Sequence, residues 1–155
     1  MQEFVAIRRS RDGQAVRYLI VDDSIVARKH VGRMIESFGG EVVAEASNGL
    51  GAIAEYDRSQ PDIVLMDVTM PQMDGIDAAE QITRRNPKAR VLMVSSVGYQ
   101  ENIMAALQSG ARHFVQKPVK IEALYDAIQH VLGEDGALVS ALGSDDVNSV
   151  AQKPL

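Results

Sequence analysis

Short apolar runs of strand length alternate with longer stretches of helical period along most of this chain. Tyr18-Leu19-Ile20-Val21, Asp62-Ile63-Val64-Leu65-Met66 and Val91-Leu92-Met93-Val94 are continuous and rich in β-branched residues. That is the pattern of strands covered on both faces in a parallel sheet. His113-Phe114-Val115-Gln116 is a further run, and Glu41-Val42-Val43-Ala44-Glu45-Ala46 alternates partly, as suits an edge strand. Between these runs, Val26, His30, Met34, Ile35 and Phe38 fall on one face of a first helix. Ile76, Ala79, Ile82 and Thr83 mark a later helix, Ile103, Ala106 and Leu107 another, and Ile121, Leu124, Ile128, Val131 and Leu132 the last. Gly39-Gly40 stops the first helix, Pro61 opens a strand, Asn86-Pro87 ends a helix and Gly110 caps the helix before the fifth strand.

The sum is five β–α units from about residue 16 to residue 133. Strands alternating with helices predict an α/β fold, a doubly wound parallel sheet with helices on both faces, and right-handed crossovers leave few topologies. The ends differ from this middle. Residues 1–15 carry Arg8, Arg9 and Arg11 but few core-forming positions, and residues 134–155 are rich in Gly, Ser, Asp and Asn. Both are expected to be flexible tails.

Composition narrows the function. The 155 residues suit one domain, and with 46% hydrophobic and 24% charged residues it has the make-up of a soluble globular protein. The absence of cysteine excludes disulfides, thiolate metal sites and thiol nucleophiles. No apolar run is long enough for a signal peptide or a bilayer span, so a cytoplasmic protein without membrane partners is expected. A net charge of −5 argues against nucleic-acid binding, and three arginines in an end segment are expected to be merely solvated.

Ligands of an open parallel sheet bind outside the carboxyl ends of its strands. There the first strand ends in Asp22-Asp23, the third in Asp67, the fourth in Ser95-Ser96 and the fifth in Lys117-Pro118. Clustered carboxylates repel one another unless a cation joins them, and oxygen ligands without His or Cys favour a hard ion, Mg²⁺ above all. With a lysine beside it, such a site is suited to a transferring phosphoryl group: Asp67 as nucleophile, Lys117 as a point charge, the Ser95 hydroxyl as a hydrogen-bond donor. Each residue alone has a plainer reading. Asp22-Asp23-Ser24 would serve to cap a helix, Ser95 as a loop serine and Lys117 as a solvated lysine. Their recurrence at matching ends of successive strands favours the site.

These segments, with Asp67-Val68-Thr69-Met70-Pro71-Gln72-Met73-Asp74-Gly75 the most specific, resemble the receiver domains of bacterial two-component response regulators, particularly the stand-alone CheY type. The resemblance covers about residues 16–133. It implies a flavodoxin-like fold of strand order 2-1-3-4-5, for which flavodoxin and CheY are standard examples. It implies that Asp67 is the phosphoacceptor, that Asp23 and the backbone carbonyl of Thr69 ligate Mg²⁺ beside Asp67, and that Asp22 reaches the ion directly or through water. Lys117 matches the family lysine, and Pro118 after it is expected to be cis. Ser95 and Phe114 match the hydroxyl and aromatic switch positions. The implied partners are a sensor histidine kinase or phosphotransfer protein, and a downstream protein target on the face of the fourth helix, fifth strand and fifth helix, with Met104, Gln108, Gln116 and Lys120 on that face. Chemotaxis is the pathway the CheY type suggests. Val97 and Tyr99 stand where the family tunes loss of the phosphoryl group, and the apolar Val97 is expected to slow it.

Rival readings fit less well. A haloacid-dehalogenase-type phosphatase needs a second Asp where this chain has Thr69, and a flavin-binding flavodoxin needs a Ser/Thr/Gly-rich phosphate loop where this chain has Asp22-Asp23. A receiver-like interaction module that does not take phosphate is a third reading, which the full acidic set disfavours.

Overall fold

The computed structural model describes residues 4–70, 72–96 and 100–133, with residues 100–103 described by their backbone alone. In chain order the elements are β1 (Arg17–Val21), α1 (Ile25–Ser37), β2 (Glu41–Ala46), α2 (Gly49–Ser59), β3 (Ile63–Asp67), α3 (Gly75–Arg85), β4 (Val91–Ser95), α4 (Gln100–Gln108), β5 (His113–Gln116) and α5 (Ile121–Gly133). The five strands form one sheet of order β2-β1-β3-β4-β5, and every pairing is parallel.

Because side chains alternate across a strand, each apolar run feeds two cores. Tyr18, Ile20, Ile63, Leu65, Leu92 and Val94 face α1 and α5, whose Ile35, Leu124, Ile128 and Val131 cover them. Leu19, Val21, Val64, Met66, Val91 and Met93 face the other way, under Ala52, Ile53, Ala79, Ile82 and Ala106 of α2, α3 and α4. Local capping matches the sequence signals: Ser24, Asn48 and Asp74 accept the backbone N–H groups of Ala27, Gly51 and Asp77. Gly39, at φ +80°, turns the chain out of α1.

Two expectations need correction. On α1 the buried stripe is Val31, Met34, Ile35 and Phe38, whereas Val26 is 73% exposed and His30 also faces solvent. Traced back one turn from Val31, that stripe arrives at Ala27 and Arg28 and passes Val26 and His30 by. On α4, Ala106 is fully buried but Leu107 is 40% exposed.

The second correction concerns residues 1–15, expected to be a free tail. Residues 4–15 fold onto the domain. Arg8 and Ala15 form an antiparallel bridge, and the intervening turn closes through Arg9 N–H to the Gln14 carbonyl (2.9 Å), with Gly13 at φ +70°. Ile7 is 1% exposed and donates its N–H to the Phe38 carbonyl. Phe4 packs on Phe38 and Tyr125 at centroid distances of 5.1 and 4.7 Å, and the Tyr125 hydroxyl donates to the Val5 carbonyl. Arg9 is not simply solvated either: it pairs with Asp12 and lies 3.6 Å from Asp62, which also accepts the Arg17 N–H. An aromatic and an aliphatic three residues apart, followed by the Asp12-Gly13 turn, were enough to close an arm over the α1–α5 side. Residues 134–155, expected to be the second tail, lie outside the described residues.

If this arm is part of the core, Ile7→Ala loses about 2–4 kcal/mol of stability in urea denaturation with little change in slope. A loss below about 0.5 kcal/mol would mean that the segment is a tail after all.

Candidate phosphoryl-transfer site

The parallel register brings the strand ends level, and with them the side chains that follow each strand. Asp67 is the last residue of β3 and pairs with Val94, one residue before Ser95 ends β4. Asp22 follows β1, its N–H held by the carbonyl of Ala46 at the end of β2 (3.1 Å). The Ser95 carbonyl accepts the N–H of Lys117 at 2.8 Å, which fixes the lysine at the end of β5 beside β4.

Asp22, Asp23 and Asp67 each offer a carboxylate oxygen within 4.8 Å of the other two. Asp22 and Asp67 are buried, while Asp23 is exposed to solvent. The Lys117 Nζ donates to Asp22 Oδ2 at 2.7 Å and lies 3.6 Å from Asp67 Oδ2. The other Asp22 oxygen accepts the Ser24 N–H at 2.9 Å. Ser24 is therefore the residue that caps α1, and Asp22 is left facing the cluster.

The electrostatics follow from this packing. Burial pushes the Asp67 carboxyl above the ordinary carboxylate range; Lys117 and the Thr69 N–H oppose that, and Asp22 and Asp23 add to it. Burial alone would lower Lys117, but its hydrogen bond to Asp22 and the charges of Asp67 and Asp22 prevail and hold it above the usual lysine value. Three carboxylates against one ammonium leave the site with excess negative charge. An oxygen-only donor set with that excess, part buried and part open, fits a small hard divalent cation such as Mg²⁺.

The remaining expected residues take these places. Ser95 is fully buried beneath the site, and Phe114 is partly buried against the α2–α3–α4 core, its N–H donated to His113 Nδ1. The Lys117–Pro118 bond is cis. Thr69 is exposed just beyond Asp67. Met104 on α4, Gln108 at its end, Gln116 on β5 and Lys120 before α5 are all exposed. Val97 and Tyr99 lie outside the described residues.

Two supporting residues received no role of their own from the sequence: Gly75, quoted only as the end of the Asp67 segment, and Arg28. Gly75 opens α3 against the strand end, its N–H bonded to the Val68 carbonyl at 2.8 Å, and a Cβ there would collide with the Asp67 carbonyl oxygen. Only glycine lets α3 approach the Asp67 peptide so closely. Arg28, in the first turn of α1, donates to the Asp22 carbonyl. A glycine directly after a capping Asp was the available signal for the first, whereas nothing local marked the second.

The raised Asp67 value sets the sign of a pH effect. The folded, metal-free chain holds a proton on Asp67 at a pH where the unfolded chain has released it. Metal-free stability is therefore expected to rise as pH falls through the folded value toward the ordinary carboxylate range, and Asp67→Asn to flatten that rise while raising the melting temperature in EDTA at pH 7. Thermal melts of both proteins across that range check it; equal pH profiles would contradict it.

Comparison with known proteins agrees with the geometry. Residues 18–129 match the family model for the response regulator receiver domain. The chain is 40% identical over 114 residues to the chemotaxis protein CheY of Listeria monocytogenes, covering 74% of this chain and 96% of that one. It is 42% identical over 118 residues to CheY of Bacillus subtilis, covering 76% and 98%. Among solved structures, a chain of the CheX–CheY–BeF3–Mg²⁺ complex from Borrelia burgdorferi superposes with a TM-score of 0.78 at 31% identity, covering 81% and 95%. By sequence, topology and the placement of its acidic cluster, this chain belongs to the response regulator receiver domain family and is CheY-like within it.

Proposed function

We propose that this protein is a phosphoacceptor switch: Asp67 takes a phosphoryl group from a sensor histidine kinase or phosphotransfer protein, with Mg²⁺ bound, and the change is passed to a downstream protein. The observation that carries the reading is the Asp22–Asp23–Asp67 cluster with Lys117 at 2.7 and 3.6 Å from two of its members. Asp22, Asp23, Asp67 and the Thr69 carbonyl would hold the ion, which when bound supplies positive charge to neutralise phosphoryl oxygens. An Asp67 carboxylate oxygen attacks phosphorus in line; the bond to the donor's imidazole nitrogen breaks, and its electron pair leaves with the imidazole. Lys117 moves its hydrogen bonds to a phosphoryl oxygen, and the Ser95 hydroxyl donates to another. The protein thus assists its own phosphorylation and the later hydrolysis without being an enzyme acting on a separate substrate.

The added charge beside Asp67 draws Ser95 toward it and leaves room for Phe114 to turn inward, changing the α4–β5–α5 face. The names of the CheY relatives favour chemotaxis as the pathway. No helix among the described residues is long and apolar enough to cross a membrane.

Intact mass after incubation with acetyl phosphate and Mg²⁺ tests the chemistry. A single phosphoryl adduct is expected, lost in Asp67→Asn and in EDTA; no adduct in a sample shown to bind Mg²⁺ would instead favour a non-phosphorylated interaction module. The switch is checked separately by NMR. Phosphorylation should shift the amides of Met104, Gln108, Gln116 and Lys120, and Phe114→Ala should remove most of that response; an undiminished response would break the link to Phe114.

A further inference from the structure

The acidic loop is braced from behind. Arg28 is 15% exposed, and its guanidinium spans two acceptors: Nη1 donates to the Asp22 carbonyl at 2.6 Å and Nε to Glu45 Oε1 at 2.9 Å. Glu45 and Ala46 end β2, and Ala46 already accepts the Asp22 N–H at 3.1 Å. The end of β2 therefore fixes Asp22 on both sides, directly at its N–H and through Arg28 at its carbonyl. The Asp22 carboxylate has its own restraints in Ser24 and Lys117. What Arg28 controls is the peptide plane joining Asp22 to Asp23, and so the direction in which the exposed Asp23 leaves the strand.

We propose that Arg28 is a positioning residue for the cation, acting through that peptide to aim the Asp23 carboxylate at Asp67; this rests on the Mg²⁺-dependent phosphoacceptor reading above. A planar guanidinium can serve a carbonyl and a carboxylate at once, which a single ammonium cannot reproduce. The positioning role and a mere charge effect differ in sign. As a nearby positive charge alone, Arg28 would weaken cation binding, so its removal would tighten it. As a brace, its removal loosens the ligand set and weakens binding, by about 10-fold for a partner of this outer-layer kind.

The test is a Mg²⁺ binding isotherm without phosphodonor, by calorimetry or NMR, on wild type, Arg28→Gln, Arg28→Lys and Glu45→Gln. The expected result is a Kd raised about 10-fold in Arg28→Gln, nearly as much in Arg28→Lys and less in Glu45→Gln, where the bond to the Asp22 carbonyl survives. Phosphorylation by acetyl phosphate should then need more Mg²⁺ but reach the wild-type rate at saturation. An unchanged or lower Kd in Arg28→Gln and Arg28→Lys overturns the proposal, as does a lower saturating rate with an unchanged Kd. Should Arg28→Gln not fold, Arg28→Lys decides alone. A wild type that binds Mg²⁺ but takes no phosphoryl group defeats the phosphoacceptor reading, while the isotherms still judge Arg28.

Discussion

Three carboxylates that share one small site repel each other, and two of these three are also buried. Much of the surrounding structure can be understood as holding them there. Lys117 offsets part of the repulsion through its contacts with Asp22 and Asp67, and it is held in place by the Ser95 carbonyl on the neighbouring strand. The backbone N–H of Ser24, bonded to Asp22, offsets more. The remaining imbalance is a standing demand for positive charge, the property that suits the site to a divalent cation.

Such a cluster needs rigid support, and the parallel sheet supplies it. Apolar residues on both faces of β1, β3 and β4 leave the strands little freedom to slide, because a one-residue slip would exchange the two cores. The level strand ends then become a fixed frame. Gly75 lets α3 close against the Asp67 peptide, and Arg28 ties the Asp22 peptide to the end of β2. The arm of residues 4–15 adds to the α1–α5 side, where Phe4, Phe38 and Tyr125 meet, far along the chain from the acidic residues.

Much of this was legible in the sequence, for physical reasons. Continuous apolar runs and glycine or proline punctuation are local signals, and they placed the strands and helix ends. The acids and Lys117 could be located because they terminate those runs. What could not be read depends on contacts between distant segments. Val26 and His30 share a helical face with Met34 on paper, but the direction of the core decides which face is buried. The arm has too few apolar residues to declare itself, and Ile7 becomes core only once the fold brings it into the cluster that holds Phe38. Arg28 is one of many arginines until β2 brings Glu45 beside it.

On the proposed reading, the cluster holds Mg²⁺ and presents Asp67 for attachment. A crystal structure grown with Mg²⁺ and beryllofluoride, which mimics an attached phosphoryl group, tests this most directly. Beryllium is expected on an Asp67 carboxylate oxygen, with an ion about 2.0–2.1 Å from oxygens of Asp23 and Asp67. Lys117 Nζ is expected within hydrogen-bonding distance of a fluorine. Density for the adduct on another residue, or a bound ion that leaves Asp67 free and unmodified at saturating beryllofluoride, would contradict it.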